Sequence, residues 1–153
     1  MYIVIAPYSQ KLRNGLVNPK NYAYWPNLVK LLEKKHKLVQ VGVNGEIPLV
    51  KDTRFNLPLK ELKTLIQGSS TWISVDSFLP HLAKHVNKPG VVLWGKSDPN
   101  IFGYPENLNI IKDRKYLRPN QFDIWEAETF DASAFVEHNE VYRLIKTRVL
   151  LKS

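Results

Sequence analysis

Apolar residues fall in short bursts along this chain, and their spacing alternates between strand-like and helix-like. Tyr2 to Ala6 is an unbroken β-branched and aromatic run ended by Pro7, which predicts a strand buried on both faces. A polar stretch from Ser9 to Asn21 follows, with Asn14-Gly15 and Asn18-Pro19 as turn signals. Trp25-Pro26 opens a helix in which Leu28, Leu31 and Leu32 recur at helical spacing as far as Lys35. Lys37 to Val43 is a second strand, closed by Gly42 and Asn44-Gly45. Pro58 begins another helix, with Leu59, Leu62, Leu65 and Ile66 on one face and Gly68 as its stop. Trp72 to Val75 gives a third strand, Ser77 to Val86 a short helix, and Val91 to Trp94 a fourth strand. Leu108 to Ile111 supplies a fifth strand, and a last helix lies within Ala132 to Leu151.

Strands alternating with amphipathic helices predict an α/β fold: a single Rossmann-like, doubly wound parallel sheet with helices on both faces. Residues 1–153 make one domain by length, with 110–153 as a C-terminal extension whose packing the pattern leaves open. Sheets of this kind bind ligands beyond the carboxyl ends of their strands. That rule directs attention to Tyr8-Ser9, Asn44 to Glu46, Asp76-Ser77 and Gly95 to Asp98.

A hydrophobic content of 44%, with four Trp, seven Tyr and six Phe, excludes a disordered or low-complexity chain. No apolar run is long enough to span a bilayer, and the N-terminus lacks the flanks of a signal peptide. The absence of cysteine excludes disulfides and thiolate chemistry and suits a reducing, cytoplasmic setting. Against 14 Asp and Glu stand 22 Lys and Arg, a formal charge of +8 that favours anionic partners without choosing among them. The aromatic residues after Lys112, namely Tyr116, Phe122, Trp125, Phe130 and Phe135, are expected to pack against the sheet.

The most informative segment runs from Ile73 to Ala83. Asp76-Ser77 stands where a strand gives way to a helix. A side-chain oxygen there can cap the helix, or the same backbone N–H groups can hold a phosphate; the two uses compete for the same donors. His81 and His85 have the spacing of two metal ligands, but Leu82 stands where a His-Glu-x-x-His motif has Glu, and no third ligand is evident, so no metal is expected. Gly95-Lys96-Ser97 follows a strand, and Gly95 permits close backbone approach to a ligand; the spacing is not that of a P-loop. Neither a nucleophile elbow nor a dinucleotide fingerprint is present, and no cofactor is called for.

Taken in order, Val75-Asp76-Ser77-Phe78-Leu79-Pro80-His81-Leu82, Lys88-Pro89 and Gly95-Lys96-Ser97-Asp98-Pro99 resemble the glycosyltransferase family 9 enzymes, the heptosyltransferase group. Gly103-Tyr104, Asn107, the Trp25-Pro26 helix start and the Gly42 to Glu46 turn are similar as well, so the resemblance spans residues 2–108. It implies the C-terminal, donor-binding half of a GT-B architecture, in which two Rossmann-like halves face each other across a cleft. Carried over residue by residue, it implies that Asp76 contacts the sugar, and that Ser77 with the helix N-terminus holds the diphosphate. His81 would support that loop, Glu46 would bond the ribose or base, and Tyr8-Ser9 would line the phosphate side. Two positions depart from the family pattern: Phe78 replaces a glycine, and Ala23 replaces a basic residue whose charge Lys20, Arg13 or Lys11 would then supply. No equivalent of the catalytic base, which the acceptor half ordinarily brings, is identifiable.

The expected function is therefore that of a glycosyltransferase-like protein binding a nucleotide-diphosphate sugar, active with a separate acceptor-domain chain or as a homo-oligomer. Two alternatives stay open: a non-catalytic nucleotide or nucleotide-sugar binder, and a basic nucleic-acid-binding module.

Overall fold

The computed structural model describes residues 1–152. Its centre is a parallel sheet of six strands: β1 (Tyr2–Ala6), β2 (Lys37–Gly42), β3 (Asp52–Phe55), β4 (Thr71–Val75), β5 (Val91–Leu93) and β6 (Leu108–Ile110). They lie side by side in the order β3-β2-β1-β4-β5-β6. β1 pairs with β2 through Val4 opposite Val39, and with β4 through Val4 opposite Trp72. The chain thus winds outward from β1 to one edge, then returns to the centre and winds to the other. That reversal makes the doubly wound topology and leaves a crevice between the carboxyl ends of β1 and β4.

Alternation along each strand builds two cores. Ile3, Ile5, Ile73, Val75, Val91 and Leu93 point to one face, where α1 (Trp25–Glu33) and α5 (His138–Arg148) cover them with Leu28, Leu32, Val141 and Ile145. Val4, Val39, Val41, Trp72 and Val92 point to the other, covered by α2 (Leu59–Gly68) and α3 (Phe78–His85) with Leu65, Ile66, Leu79, Leu82 and Ala83. Because both faces are buried, the central strands are mostly apolar on both sides, with Ser74 in β4 and Gln40 in β2 as buried polar exceptions.

Two features differ from the sequence expectation. The sheet has a sixth strand, β3, whose residues Asp-Thr-Arg-Phe carry no apolar run because it is an edge strand. Its Asp52 pairs with Arg54 at 3.0 Å and with Lys37 of β2 at 3.5 Å, and charged residues of this kind discourage further strand addition at an open edge. A short helix, α4 (Pro99–Phe102), fills the connection after β5, started by Asp98, whose side chain accepts from the Asn100 N–H at 2.9 Å. The last helix, α5, lies within the expected stretch and starts at His138, capped by Glu137, which accepts from the N–H groups of Asn139 and Glu140.

Before α5, residues 111–137 run back across the carboxyl end of the sheet in irregular chain with single 3-10 turns. Two anchors hold this tail. Phe135 enters the core, and Gln121 donates to the carbonyls of Lys96 and Arg118 while accepting from the Asp98 N–H. The extension left open by the sequence pattern therefore closes over its own sheet. Among the described residues no helix is long and apolar enough to cross a membrane.

Candidate functional site

Three connections meet at the β1/β4 crevice. The segment after β1 is pinned where Trp25 Nε1 donates to the Pro7 carbonyl at 2.9 Å and the Ser9 N–H donates to Asn21 Oδ1 at 2.8 Å. Folded back this way, the loop brings Lys20 over the crevice. There Lys20 Nζ lies 3.3 Å from Asp76 Oδ2, and Asp76, the first residue after β4, is only 7% exposed. The same ammonium stands 5.0 Å from the centre of the Trp125 ring. Beneath that ring, the Arg118 guanidinium stacks at 3.6 Å while donating to the carbonyls of Gln121, Asp123 and Ile124. Lys20 is thus held between a carboxylate and an aromatic face.

Ser77 is the residue at the N-terminus of α3, and its side chain makes no capping bond to the helix. Its hydroxyl instead lies 3.1 Å from Ser74 Oγ and donates to the Val75 carbonyl at 3.2 Å. Of the two uses open to this position, side-chain capping is therefore not taken. The first N–H groups of α3 are left to a partner from outside the helix. Phe78, at the place where a ring could have blocked the crevice, is 62% exposed.

Glu46 comes in from the β2 side. Gly45, at φ +93°, turns the chain so that Glu46 Oε1 accepts from the Val43 N–H at 2.9 Å. The carboxylate lies against Gly42, where an added β-carbon would be 1.9 Å from it. Burial pushes the Glu46 carboxyl above the usual glutamate range, against the bond from Val43. Beside it the Tyr8 hydroxyl donates to the Ile47 carbonyl at 3.0 Å; burial raises that phenol first, and the Glu46 charge raises it further.

Tyr8, Ser9, Lys20, Glu46, Asp76 and Ser77 therefore gather at one end of the sheet. His81 lies one turn along α3 on its outer side, 2.7 Å from the Tyr104 hydroxyl, tying the helix to the loop before β6. At Gly95 an added β-carbon would meet the Phe135 ring at 2.6 Å, so this glycine lets the chain's own core approach closely. Lys96 and Asp98 are likewise spoken for. Lys96 donates to the Thr129 carbonyl at 2.8 Å, and Asp98 forms a two-bond pair with Arg114 at 2.8 and 3.0 Å. Of the tail aromatics expected to pack, Phe135 does so, whereas Phe122 is 77% exposed.

Sequence reasoning missed Arg118 and Trp125 as neighbours of the crevice. Nothing local marks them, because only the path of the tail brings them over Lys20. Arg13 reaches the same tail through Glu126 at 3.3 Å, while Lys11 is exposed. No group of three metal-ligating side chains occurs among the described residues.

Residues 55–124 match the model of glycosyltransferase family 9 (heptosyltransferase). The matched stretch contains Asp76, Ser77 and the Gly95 to Pro99 turn; the similarities noted at Trp25-Pro26 and Gly42 to Glu46 lie outside it. No curated protein sequence matches the chain. Among solved structures, the chain is similar to a family 9 glycosyltransferase from Veillonella parvula, with a TM-score of 0.72 at 14% identity, over 99% of this chain and 46% of that one. It is similar to the Escherichia coli ADP-heptose lipopolysaccharide heptosyltransferase II, with a TM-score of 0.67 at 16% identity, over 99% of this chain and 47% of that one. The dodecameric iron-containing heptosyltransferase TibC of enterotoxigenic E. coli, solved in complex with ADP-D-β-D-heptose, gives a TM-score of 0.61 at 18% identity, over 90% of this chain and 36% of that one. At these identities the likeness establishes the fold, and the chain spans between about a third and a half of the length of these structures.

Proposed function

We propose that this chain, similar to glycosyltransferase family 9, is a donor-binding unit that holds a nucleotide-diphosphate sugar at the β1/β4 crevice. One observation carries the reading: the Asp76–Lys20 pair and the N-terminus of α3, uncapped by any side chain, meet at the point where the strand order reverses. Helix N–H groups and a lysine ammonium are what a pyrophosphate needs, and a carboxylate beside them suits the hydroxyls of a sugar. Glu46 stands across the crevice mouth, where a ribose or base would lie. ADP-heptose, bound by TibC, supplies the first ligand to try.

Transfer to an acceptor further requires a base that deprotonates the acceptor hydroxyl. We assign that group to a unit facing the crevice, either a separate acceptor-domain chain or a second copy. A reducing, cytoplasmic setting suits a chain without cysteine.

The test is a thermal-shift and calorimetric screen of ADP, UDP and GDP and their sugar conjugates. A ligand at ~100 times its dissociation constant should stabilise the fold by about 2.7 kcal/mol. Lys20→Ala should weaken every diphosphate, whereas Asp76→Ala should retain ADP and lose the preference for its sugar conjugate. Absence of a shift with all nucleotides would end the proposal. Affinity that collapses steeply between two salt concentrations would favour a nucleic-acid surface instead.

A further inference from the structure

Thr71 opens β4 at the amino end of the sheet, and by the alternation of that strand it points to the same face as Ile73 and Val75, toward α5. It is 1% exposed, and its hydroxyl has no hydrogen-bond partner. A buried hydroxyl left unpaired is destabilising. Valine has nearly the same shape and suits a strand equally well, so the fold itself does not call for this oxygen.

The residue forms part of the wall of a cavity of about 330 Å³, between the turn before β5, the loop before β6 and the carboxyl end of α5. Pro89, Leu108 and Val149 make its apolar side; Asn107, Glu106 and Arg148 join Thr71 on the polar side. A second depression of about 400 Å³ shares Pro89, Glu106 and Asn107 with it and extends toward Lys84 and Lys88. The polar groups differ in what they already hold. Glu106 is paired with Lys84, and Lys88 Nζ donates to the Ser69 carbonyl at 2.6 Å. Asn107 Oδ1 accepts from the Gly90 N–H at 3.1 Å, which leaves its amide NH2 without a partner among the described residues. Arg148 is exposed and makes no hydrogen bond or ion pair with any described residue.

A hydroxyl, an amide and a guanidinium thus line one cavity as donors with no acceptor. Such a set calls for an anion. Glu106 stands in the same wall, and the carboxyl ends of α3 and α5 bring partial negative charge to this end of the sheet, so a doubly charged phosphate is disfavoured. One spare guanidinium matches one carboxylate, whose two oxygens fit its planar fork. The volume is at the small end of ligand pockets, and the apolar side suits a compact carbon body.

We infer that this cavity is a binding site for a small monocarboxylate, whose carboxylate takes the Arg148, Asn107 and Thr71 donors while its carbon body lies against Pro89, Leu108 and Val149. The site is at the far end of β4 from Asp76, and it stands or falls apart from the donor-site proposal.

Butyrate, hexanoate and benzoate, each compared with its own uncharged amide, test it by titration into 15N-labelled protein. At least one acid should give saturable amide-shift changes at Thr71, Gly90, Asn107 and Leu108, and its amide should bind at least about tenfold more weakly. Arg148→Gln should weaken that acid by at least about tenfold as well. Thr71→Val separates a ligand contact from packing: it should keep or raise the melting temperature while weakening the acid at least about threefold. A Thr71→Val protein that melts lower and binds the acid as wild type does overturns the inference. So does the absence of saturable change with all three acids up to ~20 mM, which a millimolar site would fill. Amides that bind as well as their acids overturn it, as does inorganic phosphate binding at the same residues more tightly than any acid.

Discussion

Two glutamates illustrate how opposite surroundings act on one side chain. Glu126 is partly exposed and held by the Arg13 side chain and backbone, which pull its carboxyl down to about 2. A depressed carboxyl contributes stability above the ordinary glutamate range and loses it as the pH falls toward about 2. NMR titration of Glu126 should therefore find its midpoint far below that of a free glutamate, and Arg13→Ala, which removes the guanidinium but keeps the backbone N–H bond, should raise it part of the way back. Glu46 is the reverse. Burial raises it, so its favourable contribution is present at low pH and is lost as the pH climbs through its raised pKa. Glu46→Gln keeps an acceptor for the Val43 N–H and removes the charge. The variant should match wild type in acid and gain relative stability toward neutrality, measured as melting temperature against pH. At this scale the sequence named Asp76, Ser77, Glu46 and Lys20 from strand ends and from a resemblance. It could not reveal that Lys20 and Asp76 pair, because 56 positions separate them and only the fold brings them together.

Among elements, strands buried on both faces were the most legible, since nearly all of their positions are apolar for the same reason. β3 was not, because an edge strand is selected for charge and not for burial. The tail was opaque for a different cause: its order comes from side-chain bonds such as those of Gln121 and Lys96 to distant carbonyls, which leave no periodic trace. Gly95→Ala should push against Phe135 and cost about 1–3 kcal/mol of stability by denaturant unfolding. Its effect on nucleotide affinity should stay within about twofold, a small fraction of RT ln 10. Ile145→Ala, at the α1/α5 contact, should cost about 2–5 kcal/mol, and a smaller loss would mean that α5 is not part of the cooperative core.

For the molecule as a whole, the two ends of the sheet have separate characters. The carboxyl end holds the crevice and is crossed by the tail; the amino end gathers basic helix termini and two shallow depressions of about 330 and 400 Å³. Hydrogen exchange should respect this division. The central strands β1, β4 and β5 should exchange slowest, and added ADP should protect the residues at 7–22, 44–49 and 76–81. Protection confined to the amino end would locate nucleotide binding in the wrong place.

The sandwich that holds Lys20 has an optical corollary. Trp25, Trp72 and Trp94 are sealed inside and should emit in the blue regardless of solvent. Trp125 borders the crevice, with the Lys20 ammonium 5.0 Å and the Arg118 guanidinium 3.6 Å from the centre of its ring. When a diphosphate draws the lysine away, the red side of the emission should brighten, giving the chain an intrinsic fluorophore that reports occupancy without any label.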